Sequence, residues 1–315
     1  MVKGTIPVHL LTGFFGSGKT TLINHVLASI EKGKHVAVMV NDFGDVNVDS
    51  EVIGHGHAGL PEVHSVAGGS IFCSCRHWEF ITGLHALAAY KPDFIIVEAS
   101  GMADPTPIKT DIKIASTLDK EHEYVHASTA CLVDAALFKQ QLDVFPVVRR
   151  QVKHATTIVV NKVDLLAEPV EPKKATIRTA IRRINKHASI EFTIDSIVPV
   201  AMFLAAGTPG DDEARPDRSL NEPGNQPGTA VLVASHPLDR AILREYYESV
   251  KDKILRFKGF CQLDDGWYHV NAVADQLRFS PTRAPREKTE ILCIFLPASD
   301  AKKAELQDSW RQVAG

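Results

Sequence analysis

The stretch Val8 to Thr21 reads VHLLTGFFGSGKTT, and Gly13-Phe14-Phe15-Gly16-Ser17-Gly18-Lys19-Thr20 matches the phosphate-binding pattern G-x-x-x-x-G-K-[ST] at every fixed position. Glycines at 13, 16 and 18 let the backbone turn tightly and aim successive N–H groups at phosphate oxygens. Lys19 has the reach to meet the terminal phosphates, and the Thr20 hydroxyl is a hard donor for Mg²⁺. Gly13, Gly16, Ser17, Gly18, Lys19, Thr20 and Thr21 are therefore assigned to a nucleotide. Such a loop needs a strand before it and a helix after it; the apolar run Val8 to Leu11 and the helical spacing of Leu22, Val26 and Ile30 supply both.

Three further stretches complete a site of this kind. Asn41 to Asp49 (NDFGDVNVD) is an acidic loop after an apolar run, His35 to Val40, where an α/β sheet presents ligand contacts. Asp42 and Asp45 are its candidates for Mg²⁺ and the γ-phosphate. The strand Asp93 to Val97 ends in Glu98-Ala99-Ser100-Gly101. Glu98 is placed to hold Mg²⁺ with Thr20 and Asp42, and the Gly101 amide to sense the γ-phosphate. Lys19, Asp42, Asp45, Glu98 and Gly101 thus form the predicted catalytic set. Asn161-Lys162-Val163-Asp164 follows the strand Thr156 to Val160, and N-K-x-D selects guanine because a carboxylate accepts from both the ring N–H and the exocyclic amine. The nucleotide is read as GTP. Met102 stands after Gly101, where some GTPases carry a water-orienting glutamine, so slow turnover is expected until a partner, a metal or dimerisation supplies the missing group.

The five cysteines are Cys73, Cys75, Cys131, Cys261 and Cys293, an odd and sparse set that suits metal or redox chemistry better than a disulfide framework. Cys73-Ser74-Cys75 places two soft donors close along the backbone, with His77 two residues on and Asp45 as helpers; the alternative is an inert or redox-active thiol pair. His55 and His57 stand close together in a Gly-rich stretch and read either as ligands or as solvated side chains. The other three cysteines are expected to be buried.

A formal charge of −3 over 315 residues gives no electrostatic argument for nucleic acid or a membrane surface. No apolar run reaches the ~18 residues that span a bilayer, and Met1-Val2-Lys3-Gly4 lacks signal-peptide character, so a cytoplasmic location is expected. The fold class is α/β: a mainly parallel nucleotide-binding sheet flanked by helices over residues 1–206, a Gly/Pro-rich linker over 207–228, and a smaller α+β domain over 229–315. Further helices are predicted over Trp78 to Tyr90, within Ala135 to His154 with a break at Pro146, over Val170 to His187, Pro237 to Ile254 and Ser299 to Val313. Further strands are predicted over Tyr124 to Val133, Ile197 to Ala201, Thr229 to Ala234, Leu255 to Leu263, Gly266 to Asp275 and Glu290 to Leu296. Met102 to Pro107 reads as a non-helical loop, His85 as structural, and Arg149 and Arg150 as exposed, with a cis arginine finger as the other reading.

Taken together, Leu11 to Asn24, Asn41 to Asp45, Glu98-Ala99-Ser100-Gly101-Met102-Ala103-Asp104-Pro105 and Asn161 to Asp164 resemble the CobW family of GTPases, and Leu255-Arg256-Phe257-Lys258-Gly259-Phe260 looks like the hallmark strand of its carboxyl-terminal domain. The resemblance implies a GTP-hydrolysing metallochaperone or metallocofactor-insertion protein that delivers Zn²⁺, Co²⁺ or Ni²⁺ to a client metalloprotein, with a homodimer as a possible assembly. The departures are specific. Aligned on Gly69, the family's Cys-x-Cys-Cys becomes Ser70-Ile71-Phe72-Cys73, so the last cysteine alone is kept and Cys75 is extra. Val40 stands where an acid is usual, and the His-rich tract is missing. The alternative is a GTP-dependent activator that remodels a client, such as a corrinoid or iron–sulfur protein, without carrying metal.

Overall fold

Strands β1 (Gly4–Gly13), β2 (Val36–Asn41), β3 (Val63–Gly68), β4 (Phe94–Glu98), β5 (His122–Asp134), β6 (Thr157–Asn161) and β7 (Ser189–Phe192) form one sheet in the order β3-β2-β4-β1-β5-β6-β7, and each neighbouring pair is parallel. The computed structural model describes residues 3–31, 33–41, 63–68, 77–205, 227–282 and 286–314, with backbone alone at 41, 63–68 and 77. Parallel sheets are covered on both faces, which is why β4 (FIIVE) and β6 (TIVVN) are buried at every position. On one face, α2 (His77–Ala88) and α3 (Thr106–Leu118) pack Phe80, Leu84, Leu87, Ile108 and Ile112 against Val8, Leu10, Ile95 and Val97. On the other, α1 (Lys19–Ser29) and the short α7 (Val200–Leu204) pack Leu22, Ile23, Val26 and Phe203 against Leu11, Val38, Ile96 and Leu132. Between β5 and β7 lie α4 (Phe138–Val144), α5 (Pro146–Lys153) and α6 (Val170–Ile184). The break at Pro146 is where the sequence puts it.

Three expectations need correction. The loop predicted through Pro107 ends at Pro105, because α3 starts at Thr106 and holds Pro107 in its first turn, where the missing N–H costs nothing. The last strand is Ser189–Phe192 rather than 197–201, and Val200–Leu204 is helical. Its alternating exposed and half-buried positions mark an edge strand with too little apolar content to stand out. Strand β3 also went unpredicted. The linker falls largely on residues 206–226, outside the described ones.

The chain divides into two compact units, and the second holds β8 (Gly228–Ala234), α8 (Arg240–Val250), β9 (Arg256–Leu263), β10 (Gly266–Val273), β11 (Gln276–Pro281), β12 (Thr289–Phe295) and α9 (Asp300–Ala314). Its sheet is antiparallel in the order β11-β10-β9-β12-β8, an α+β unit as predicted, with β11 unforeseen. Tyr246 and Tyr247 of α8 and Leu306 and Trp310 of α9 bury against Phe257, Cys261, Val270 and Cys293. The aromatic polar ends are satisfied: Trp310 Nε1 donates to Val233 O at 2.7 Å and the Tyr246 hydroxyl to Leu306 O at 2.9 Å. Asp239 caps α8, accepting from Ala241 and Ile242 N–H, which sets the helix start three residues after the predicted Pro237. Among the described residues, no helix is long and apolar enough to cross a membrane.

Candidate nucleotide site

The order of the parallel sheet reverses at β1, whose carboxyl end carries the phosphate loop, and a crevice at such a point is where open α/β sheets bind ligands. Gly13 closes β1, and Gly16 and Gly18 take positive φ of 73° and 109° before α1 begins at Lys19. Lys19 is 5% exposed, and its Nζ donates to Gly13 O at 2.9 Å and Phe14 O at 3.3 Å, so the ammonium lies over the loop that would hold the phosphates. The hydroxyls of Thr12, Ser17 and Ser100 are buried without a hydrogen-bond partner. Three unpaired hydroxyls around one loop are costly in a closed core and fit a site shaped for an anion. Thr21, by contrast, is exposed on the first turn of α1.

Glu98 ends β4, is 3% exposed, and accepts from the Thr20 hydroxyl at 3.3 and 3.4 Å on its two oxygens. A buried carboxylate against a hydroxyl at a strand tip is a hard oxygen set that suits Mg²⁺; Thr20 and Glu98 would hold the ion, which would offset phosphate charge. Gly101 lies against the phosphate loop so closely that an added Cβ would fall 2.4 Å from the Phe15 ring and 2.6 Å from Phe15 N. A residue with any side chain would push the two loops apart. Asp42 and Asp45, the remaining predicted catalytic acids, lie outside the described residues.

Asn161, Lys162 and Asp164 have distinct places. The buried Asn161 side chain is wholly engaged: Nδ2 donates to Ser17 O at 2.9 Å and Ser196 Oγ at 2.8 Å, while Oδ1 accepts from Ser196 N at 2.8 Å. It joins the phosphate loop to the turn after β7. Ser196 Oγ in turn donates to Gly18 O at 3.1 Å. This packing explains the third glycine, since a Cβ at Gly18 would meet Asn161 Nδ2 and Ser196 Oγ at 2.4 Å. Lys162 takes a left-handed φ of 62° and its Nζ pairs with Asp134 Oδ2 at 2.7 Å. Asp164 stays exposed, open to a base edge, in the 3₁₀ turn Val163–Leu165.

Sequence reading missed Ser196, Asp134 and Gln151, and read Arg150 as exposed. The signals were thin: an Asp-Ser pair after a weak strand, an acid closing β5, and one glutamine in a short helix of valines and basic residues. Asp195 and Ser196 both adopt positive φ, 53° and 58°, a strain of about 1–3 kcal/mol each that loops at functional sites commonly carry. Arg150, expected to be exposed, is mostly buried, and its Nη1 lies 3.2 Å from Asp104 Oδ2; Arg149 is exposed as predicted. The guanidinium is thus committed to Asp104 rather than free as a finger.

Cys131, Cys261 and Cys293 are buried as expected. Burial pushes the Cys131 and Cys261 thiols up to about 12 and raises Cys293 further, so none is a thiolate at neutral pH. His85 is structural, with Nε2 3.2 Å from Ala115 O and its ring stacked on Tyr124. Cys73, Cys75, His55 and His57 lie outside the described residues, and His77 is described only as the start of α2. Among the described residues, no group of three or more His, Cys, Asp or Glu side chains is arranged to hold a metal.

Residues 7–192 match the CobW/HypB/UreG nucleotide-binding domain, and residues 228–314 match the carboxyl-terminal domain of the cobalamin synthesis protein CobW. The chain belongs to the CobW/HypB/UreG family of P-loop GTPases. It is similar to the zinc chaperone YjiA of Escherichia coli (28% identical over 274 residues, 82% of each chain). It is also similar to the zinc chaperone CobW of Pseudomonas aeruginosa (30% over 293 residues, 82% of this chain and 77% of that one). The crystal structure of Zn(II)-bound YjiA GTPase from E. coli aligns over all of both chains at 20% identity and a TM-score of 0.46. Distant homology to zinc chaperones therefore stands beside the phosphate-loop geometry.

Proposed function

We propose that this CobW/HypB/UreG protein binds and hydrolyses GTP and couples its nucleotide state to a soft-metal or client site at Cys73 and Cys75, acting as a metallochaperone or metallocofactor-insertion protein of the cytoplasm. The observation that carries the reading is the convergence on one loop of Lys19, the Thr20–Glu98 pair and the Asn161–Ser196 tie, in a chain whose relatives are named zinc chaperones. Hydrolysis of a phosphoanhydride by in-line attack of water depends on positioning and charge more than on covalent help. Lys19 and the loop amides would hold the β- and γ-phosphates, Asp164 the guanine, and Gly101 the γ-phosphate edge. Met102 stands after Gly101 in place of a water-orienting glutamine and Arg150 is engaged by Asp104, which supports slow turnover without a partner.

The acidic stretch and the Cys pair lie between the phosphate loop and Glu98 in the chain, which is the segment a γ-phosphate would order. Competition with a metal indicator for Zn²⁺, Co²⁺ and Ni²⁺ tests the coupling, with protein holding a non-hydrolysable GTP analogue, GDP or no nucleotide. A tenfold or larger difference in affinity between states, lost in Cys73→Ala/Cys75→Ala, is expected. Equal affinities in all three states would remove the chaperone reading. A second reading, the GTP-dependent activator that carries no metal, is favoured by Ser70-Ile71-Phe72-Cys73 keeping one family cysteine of three. It predicts retention of a client with the GTP analogue and no stoichiometric, cysteine-dependent metal in protein purified without oxygen.

A further inference from the structure

We propose that Gln151 is a positioning residue for the hydrolytic step, holding the backbone of the Gly101 segment at a fixed distance from the phosphate loop. The proposal rests on the GTP-hydrolysing reading above. Residues 101–103 are Gly, Met and Ala, so no side chain of theirs can fix where the Gly101 amide points. The fixing group comes from α5 instead. Gln151 is 1% exposed, and its Nε2 donates to Gly101 O at 3.0 Å and to Ala103 O at 3.1 Å. Two carbonyl acceptors settle which end of the amide faces the segment. The other end, Oε1, is buried with no partner. A buried acceptor left unsatisfied is rare and asks for a reason; here it accompanies the delivery of both N–H groups to one strip of backbone.

The helix that carries Gln151 is itself referenced to the phosphate loop. Phe145, which caps α5, stacks on Phe14 with ring centroids 4.7 Å apart, and Val147 and Val148 are buried beside it. Next to Gln151, Arg150 holds Asp104, whose Oδ1 also accepts from the Thr106 N–H at 3.0 Å and hydroxyl at 2.7 Å. Residues 101 to 104 are thus gripped at two carbonyls and one carboxylate, and Phe15 leaves no room for a Cβ at Gly101. The Gly101 N–H belongs to the preceding Ser100–Gly101 peptide, whose carbonyl accepts from Ala103 N–H at 3.0 Å; by holding Gly101 O and Ala103 O, Gln151 fixes the turn on which the direction of that N–H toward a γ-phosphate would depend. Gln151 acts through backbone and touches no reacting atom.

Gln151→Met keeps the length and apolar volume of the side chain and removes both donors together with the unpaired acceptor. The expected result is a fall in kcat for GTP of about 10²-fold, the scale of a small misplacement at a reacting centre. KM and GDP affinity should stay within about twofold, because the loop still binds phosphate, while the two carbonyls left without a donor should lower the melting temperature by a few degrees, too little to unfold the protein at the assay temperature. Capture of aluminium fluoride by the GDP-bound protein should be lost. Gln151→Glu sets a carboxyl against two carbonyls in a buried place, which raises its pKa; its kcat should climb as the pH falls through that pKa and the acid form donates its O–H, a rise the unmodified protein lacks. Lys153→Ala, exposed on the same helix, should behave as the unmodified protein. A Gln151→Met protein with undiminished kcat would overturn the proposal. So would a fall in kcat explained by unfolding at the assay temperature, with no acid recovery in Gln151→Glu. If the unmodified protein hydrolyses no GTP under any partner or metal condition, it is the GTPase reading that fails; hydrolysis by the unmodified protein matched by Gln151→Met fails the Gln151 proposal alone.

Discussion

At the amino-terminal edge of the parallel sheet, Asp119 accepts from Glu121 N–H at 2.8 Å, His122 N–H at 3.0 Å and the Tyr124 hydroxyl at 2.8 Å, with His122 Nδ1 at 3.2 Å. At the carboxyl edge, the hydroxyls of Thr12, Ser17 and Ser100 are buried with no partner at all. Both edges bury polar groups; they differ in whether those groups are satisfied by the chain itself. Burial alone would raise the Asp119 carboxyl, but the donors around it outweigh that and hold it well below the usual carboxylate range. A satisfied network stabilises, whereas an unsatisfied one costs free energy until something else fills it. The difference marks the carboxyl edge as the end built for a ligand and the amino edge as the end built for the fold.

Substitutions at the two edges should therefore separate function from stability. The largest effect is expected at Lys19→Met: kcat/KM for GTP should fall by about 10²–10³, the loss typical of removing one donor aimed at developing charge. Thermal melting of the nucleotide-free protein should hardly move, and a large drop in melting temperature would break the contrast. Asp119→Asn comes next and should do the reverse, lowering stability by about 1–3 kcal/mol in urea unfolding at pH 7 while leaving KM for GTP unchanged. The pH dependence has a definite sign. Because the folded carboxyl is depressed below the ordinary 3.8, its stabilisation is whole above that value and drains as pH falls through 3.8 toward the folded pKa. Asp119→Asn should flatten that acid limb. Ser100→Ala is the smallest: removing an unpaired buried hydroxyl should leave the free protein unchanged or more stable by up to about 1 kcal/mol, with a modest loss of GTP affinity. A clear destabilisation would show that Ser100 serves the fold.

Much of the site was legible because its parts are local. A phosphate loop needs glycines, a lysine and a hydroxyl within a few residues, and Glu98 ends one buried, β-branched strand while Asp164 follows another by three residues. The buried state of Cys131, Cys261 and Cys293 was legible too, since sparse cysteines behave as small apolar side chains. Edge strands were not: β7 (SIEF) and β11 (QLRFSP) are half-exposed, with little apolar signal to read. Pro107 was misread as a breaker because position within a helix, not the residue alone, decides whether proline is tolerated.

By itself the sequence determined the phosphate-loop motif, the two-part α/β then α+β architecture and the family, all carried by short contiguous patterns and by strand and helix periodicity. The tertiary structure alone decided which groups hold those patterns in place. Ser196 meets Gly18 across 178 positions and Gln151 meets Gly101 across 50. Such contacts join single polar side chains to backbone carbonyls, and a carbonyl is present at every residue, so nothing in the order of side chains announces which one will be used until the strands are laid side by side.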